Sequence, residues 1–177
     1  YEKLYLLIQS RAGELLDKKG IHRIHALGVS VDGKAALFLI PMRGGKSTLA
    51  LRLLATPGIE LLSDDTPLVQ ADGSILPFPV RMGVTLGEEP QSIPSEFLRT
   101  FQRDQFGPKT LVDLSHFKDR IETGPCQPRL IFHGKWTFAE QPSLLPVSKV
   151  RGFRVLFRDC VIGLGLPQVV EFFLRSA

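Results

Sequence analysis

Apolar and polar positions along the chain change period several times, and each change marks an expected element. In residues 4–19, Leu4, Leu7, Ile8, Leu15 and Leu16 recur at helical spacing and Lys18-Lys19-Gly20 supplies a stop, so an amphipathic helix is expected there. Residues 24–31 and 35–40 are apolar runs of strand length on either side of Asp32-Gly33, a dipeptide suited to a tight hairpin turn. The run 35–40 is continuous enough for a strand covered on both faces. Helix formers fill nearly every position of Leu49-Ala50-Leu51-Arg52-Leu53-Leu54, and residues 59–63 read as another short strand.

A second hairpin is expected where residues 67–69 and 74–78 flank Ala71-Asp72-Gly73. Residues 86–128 are polar and broken by Pro90, Pro94, Pro108, Pro125 and Pro128, with apolar positions too sparse for a large core element. That composition suggests a surface excursion or lid. Residues 129–132, 153–157 and 160–164 are short and apolar enough for strands, and 167–174 reads as a closing helix with Pro167 near its first turn. The sum is one α/β domain over residues 1–177, built on a mixed, curved β-sheet with more hairpins than a doubly wound sheet carries.

Candidate chemistry sits between the expected strand 35–40 and helix. Arg43-Gly44-Gly45-Lys46-Ser47-Thr48 has the parts of a phosphate-cradling loop. Glycines let backbone amides approach phosphate oxygens without a Cβ in the way, and the helix beginning there points its positive end at the same place. Lys46 supplies a full charge for β and γ phosphates, and Ser47 a hydroxyl for Mg²⁺. Arg43 either adds charge to a nucleotide or points to solvent. The phosphate-loop pattern opens on glycine where this chain has Ile40, followed by Pro41 and Met42. Asp64 and Asp65 stand at the carboxyl end of the strand 59–63, the place where open α/β sheets bind ligands. Mg²⁺ takes hard oxygen ligands, and a second carboxylate can accept a hydroxyl proton, so paired aspartates after a phosphate loop point to phosphoryl chemistry.

Composition narrows the partners. With 44% hydrophobic and 23% charged residues in 177, the chain has the make-up of an ordinary soluble globular domain. The formal charge of +4 comes from scattered Lys and Arg rather than a basic tract, which argues for a polyphosphate ligand or an acidic protein surface over nucleic acid. Lys149, Arg151, Arg154 and Arg158 are read as a solvated strand face, with an acidic partner as the alternative. Cys126 and Cys160 have no metal or redox spacing, so reduced thiols in a cytoplasm are expected. No apolar run approaches the roughly 20 residues that span a bilayer, and the start lacks the order of a signal peptide.

From His25 through Gly33, Lys46 and Ser47 to Asp64-Asp65, the order and spacing resemble the catalytic domain of HPr kinase/phosphorylase, which shares a core with ATP-dependent phosphoenolpyruvate carboxykinase. The resemblance covers residues 24–83. It implies a phosphate-loop serine kinase using ATP and Mg²⁺, with Lys46 on the β and γ phosphates. It also implies Ser47 and Asp65 on the metal, Asp64 as base for a substrate hydroxyl, and His25 near the transferred phosphate. Arg81, in Pro79-Val80-Arg81-Met82-Gly83, stands where the family has an arginine before a glycine and would steady charge on the phosphoryl group; from the residues alone, capping a carbonyl is an equal alternative. Pro79 stands where the family has a metal-binding glutamate, for which Glu88 or Glu89 could substitute. His25, read without the family, is a polar position on a strand face.

The expected activity is transfer of the γ-phosphoryl group of ATP to a serine hydroxyl of a protein or peptide, such as a carrier protein or precursor peptide. Two alternatives stand beside it: a nucleotide-binding module or switch without transfer, and a small-molecule kinase or carboxykinase-like enzyme. No nucleic-acid or membrane partner is expected, and assembly with further copies of the chain is left open.

Overall fold

The computed structural model describes residues 2–42, 44–87, 89–102, 107–135, 141 and 143–161. Helix α1 (Glu2–Lys18) comes first, and its end at Gly20, φ 71°, lets Ile21 N–H reach back to the Leu16 carbonyl. Strands β1 (His22–Ile24), β2 (Leu27–Val31) and β3 (Lys34–Leu39) follow. Asp32 (φ 49°) and Gly33 (φ 69°) both take left-handed backbone, the geometry of the two-residue turn expected between β2 and β3. Next are α2 (Lys46–Leu54), β4 (Glu60–Ser63) and the short hairpin β5 (Leu68–Val69) and β6 (Ile75–Leu76). The chain continues through β7 (Met82–Thr85), β8 (Leu98–Phe101), β9 (Lys109–Val112), β10 (Gln127–His133), α3 (Lys149–Asp159) and β11 (Cys160–Val161).

The fold is mixed α/β with several sheets. One is ordered β10-β3-β2-β4, with β10 parallel to β3 and β2 antiparallel to both its neighbours. Consequently β3, β4 and β10 run the same way, and Leu39, Ser63 and His133 end at one edge. The others are ordered β11-β1-β5-β6 and β7-β9-β8. Strand periodicity sends alternate residues of β3 to opposite faces. Ala35, Leu37 and Leu39 join Ile24, Ala26, Leu62, Ile75 and Val155 in one core, while Ala36 and Phe38 pack against the other. In that second core, Ala50, Leu51 and Leu54 of α2 meet Leu27, Val29 and Leu61 on one side and Met82, Val84 and Val112 on the other. Helix α2 is thereby held between two sheets, which fixes where its first turn points.

Four expectations are revised. Residues 153–157 are helical rather than extended: Ser148 caps the N-terminus of α3 by accepting from Arg151 N–H, and Phe153 and Phe157 stack one turn apart with centroids 6.3 Å from each other. The basic residues 149, 151, 154 and 158 therefore lie on a helix, not a strand. The apolar stripe of α1 is not a core face, since Leu4, Leu7, Ile8 and Leu15 are exposed while Ser10 is buried and Gly13 abuts the Arg23 guanidinium. Within 86–128, β8 and β9 form sheet structure and Ile93 and Val112 are buried, so the described part of that segment contributes core as well as surface. Of the expected strand 160–164, the residues beyond Val161 lie outside the described residues, as does the expected helix 167–174. Among the described residues, no helix is long and apolar enough to cross a membrane.

Candidate functional site

The turn after β3 is made by two glycines with different tasks. A Cβ on Gly44 would stand 2.8 Å from the Pro41 carbonyl oxygen and 2.4 Å from Ile40 Cγ2, so only glycine fits the turn that Gly44 N–H closes onto that same carbonyl. Gly45 takes φ 88° at the N-cap of α2, and no side chain caps the helix there. The first-turn amides and the positive end of α2 are thus presented beside Lys46. Arg43 lies outside the described residues. Thr48 is half-buried in the first turn of α2.

Lys46 is 9% exposed and its Nζ donates to the Ile40 carbonyl at 2.9 Å, folding the side chain back along the loop. The same ammonium is 2.9 Å from His25 Nε2. An ammonium can only donate, so that imidazole nitrogen accepts and Nδ1 carries the proton toward Asp65 Oδ1, 3.3 Å away. Asp65 Oδ1 is also 3.8 Å from Lys46 Nζ. Three residues expected to act together on one ligand are joined in a chain Lys46–His25–Asp65. Backbone contacts hold them: Ala26 N–H donates to the Asp65 carbonyl, and His25 N–H to the Asp159 carbonyl at the end of α3.

Asp64 points the other way, into the protein. It is 8% exposed, and its Oδ2 accepts from the Ser47 hydroxyl at 2.9 Å. Burial pushes its carboxyl up to about 7, and the charge of Asp65 adds to the push; the Ser47 hydrogen bond and the Lys109 and Lys46 charges oppose it. Ser63 sets the turn that carries the two aspartates, its hydroxyl donating to the Phe78 carbonyl and accepting from Thr66 N–H at 3.0 Å.

Ser47 was expected to share a metal with Asp65; it is Asp64 that it touches. Mg²⁺ usually binds through one or two carboxylates plus waters and substrate phosphates, not an all-protein cage. The Ser47 hydroxyl and the Asp64 carboxylate, whose buried Oδ1 has no hydrogen-bond partner among the described residues, are a donor set of that kind. Among the described residues no cluster of three or more His, Cys, Asp or Glu could hold a metal ion.

The contacts of Arg81 are with aromatic rings. Its guanidinium lies 3.8 Å from the centre of the Tyr5 ring on α1, with the Phe101 ring 6.0 Å away. Glu89 accepts from the buried Thr110 hydroxyl, and Glu88 lies outside the described residues. Lys109 was not expected at the site. It enters through β9, donates to the Gly83 carbonyl at 3.3 Å, and contributes positive charge at Asp64. Its place in the proline-broken segment, with no motif around it, left no signal in the sequence.

No protein-family model matches the chain, and no curated protein matches it significantly. The local geometry around Lys46 therefore carries the functional reading.

Proposed function

We propose that the chain is an ATP- and Mg²⁺-dependent kinase of the HPr kinase/phosphorylase type, which transfers the γ-phosphoryl group to a serine hydroxyl on a protein or peptide. The observation that carries this reading is the convergence of Lys46, Ser47, Asp64, Asp65 and His25 at one edge of the β10-β3-β2-β4 sheet, beside an uncapped helix start. Mg²⁺ bound to ATP supplies charge neutralisation of the transferring group.

The chain's own residues divide the remaining work. Lys46 and the amides of Gly45 to Thr48 bind phosphate oxygens, with Lys46 exchanging the Ile40 carbonyl for a charged partner. Ser47 and Asp64 are the metal-holding pair, because they touch each other and Asp64 is sequestered from the acceptor's side. Asp65, 57% exposed at its side chain, is the residue an incoming hydroxyl can reach and is our choice of base. His25 Nδ1 lies 3.3 Å from its carboxylate, close enough to orient it. This exchanges the roles that the family resemblance implies for the two aspartates. The opposite assignment, with Asp64 as base, is favoured by its pKa near 7, and the two are separated by the variants described below.

A second reading, a nucleotide-binding module without transfer, is favoured by one observation: Arg81 is engaged by Tyr5. Titration calorimetry of ATP with and without Mg²⁺, followed by intact-mass analysis of serine peptides, tests both. Binding with transfer supports the kinase; binding with no acceptor modified supports the module.

A further inference from the structure

On the far side of β3 from α2, a cavity of about 560 Å³ lies between β10, residues 144–148 and α3. Its lining is apolar yet open: Leu144 is 84% exposed, Leu145 79% and Phe153 69%. Volume in this range suits insertion of a few large side chains. Helix α3 adds two stripes at helical spacing, an apolar one of Val150, Phe153 and Phe157 and a basic one of Arg151, Arg154 and Arg158, all exposed. Positive charge converges on the groove as well as bordering it. The His133 imidazole, a lining residue, is driven toward its neutral form by burial and by the charges of Lys135, Arg158 and Arg151.

The elements that wall the groove also lead to the site already described. At the end of β10, Gly134 N–H donates to the Leu39 carbonyl, and a Cβ on Gly134 would be 2.8 Å from Ile40 Cγ1. Ile40 is the residue whose carbonyl holds Lys46. On the other wall, the Asp159 carbonyl at the end of α3 accepts from His25 N–H at 2.7 Å. Both walls therefore terminate on residues that contact the Lys46–His25–Asp65 chain.

We propose that this groove docks an acidic peptide segment bearing bulky apolar side chains, which is the part of the acceptor flanking the serine to be phosphorylated. The proposal rests on the kinase reading for the word acceptor, though docking itself does not need ATP. Concavity favours a peptide over a lipid surface: residues 144–148 form one wall of a recess into which side chains insert, whereas a bilayer meets a protruding face. The arginines select carboxylates flanking the inserted residues, and the apolar lining supplies the burial.

The test is fluorescence anisotropy of a labelled peptide in which Leu and Phe alternate with Glu and Asp around one Ser, titrated with the full chain. Two exposed positions serve as variants, Arg151→Glu and Phe153→Ser, with ATP affinity measured on each as a check that the site is intact. The expected result is binding that weakens as salt rises and falls at least tenfold in each variant, with ATP affinity unchanged. Three results would overturn the proposal: no binding by the wild type, equal binding by both variants, or binding only to phosphatidylserine vesicles. Peptide binding that needs removal of residues 162–177 would also overturn it, by assigning the groove to the chain's own segment. Loss of the kinase reading would register separately, as failure to bind ATP or to transfer phosphate while the peptide still binds.

Discussion

The Ser47 hydroxyl donates to Asp64 Oδ2 at 2.9 Å and so ties the first turn of α2 to the residue that follows β4. This bond crosses from the loop after one strand to the turn after another, with β2 between the two strands in the sheet. It is the basis for proposing Asp64 as the aspartate that would share a ligand with the loop. Asp64→Asn is expected to abolish the Mg²⁺ dependence of ATP binding, and Asp65→Asn to preserve binding and lose turnover. Calorimetry in the presence and absence of Mg²⁺, paired with a transfer assay, checks this. The reverse pattern would restore Asp64 as base.

Lys46→Met is expected to weaken ATP binding by about 1.5–3 kcal/mol, the size of a hydrogen bond to a charged group. Because Lys46 also contacts His25 and the Ile40 carbonyl, the variant should loosen the loop. A wild-type affinity in the variant would remove Lys46 from the phosphate site.

Two glycine variants should separate strain from space. Gly45→Ala forces a left-handed alanine, costing roughly 1–2 kcal/mol. Its Cβ would otherwise meet nothing within 4 Å. Gly44→Ala meets the Pro41 carbonyl oxygen at 2.8 Å and should reroute the loop, reducing ATP affinity beyond what its stability loss explains. Denaturant melts alongside ATP titrations give both quantities.

The pH dependence of stability follows from Asp64. Its folded carboxyl is raised to about 7 from 3.8, chiefly by burial, so the folded state holds a proton that the unfolded chain releases. The stability it contributes is complete below about pH 4, declines as pH rises toward 7, and is absent above. Each pH unit in that window is worth at most about 1.4 kcal/mol. Asp64→Asn should therefore gain on the wild type as pH rises from 4 to 7, measured by urea unfolding at a series of pH values. Curves that keep a constant separation would contradict a raised carboxyl.

Much of the site was legible because short-range chemistry dictates it. The glycines, Lys46 and Ser47 are contiguous, and the Asp32-Gly33 hairpin and the Asp64-Asp65 pair announce themselves by residue type. What could not be read depends on tertiary packing. In α3 the sequence Phe-Arg-Val-Leu-Phe is short and apolar enough for a strand, but Ser148 caps a helix there and Val155 is the residue it buries. In α1 the apolar positions are real, but the helix buries Ser10 instead and sets Gly13 and the Gln9 carbonyl against the Arg23 guanidinium. Arg81 was drawn to Tyr5, a residue far away in sequence, and the Lys109 charge acts on Asp64 from β9; no local pattern encodes either relationship.

The stack of Arg81 on Tyr5 gives its own prediction. Tyr5→Leu should destabilise the fold by about 0.5–1 kcal/mol through loss of the cation–π contact, without weakening ATP binding. If Arg81 instead serves the transferring phosphoryl group, Arg81→Met would slow transfer far more than Tyr5→Leu does.

The most direct measurement of the central claim is the intact mass of a serine-containing acidic peptide after incubation with the chain, ATP and Mg²⁺, with Lys46→Met and Asp65→Asn run in parallel. A mass gain of one phosphoryl group on serine is expected with the wild type, and none with either variant. ATP bound tightly by the wild type while peptide, carrier protein and small alcohols all stay unmodified would contradict it.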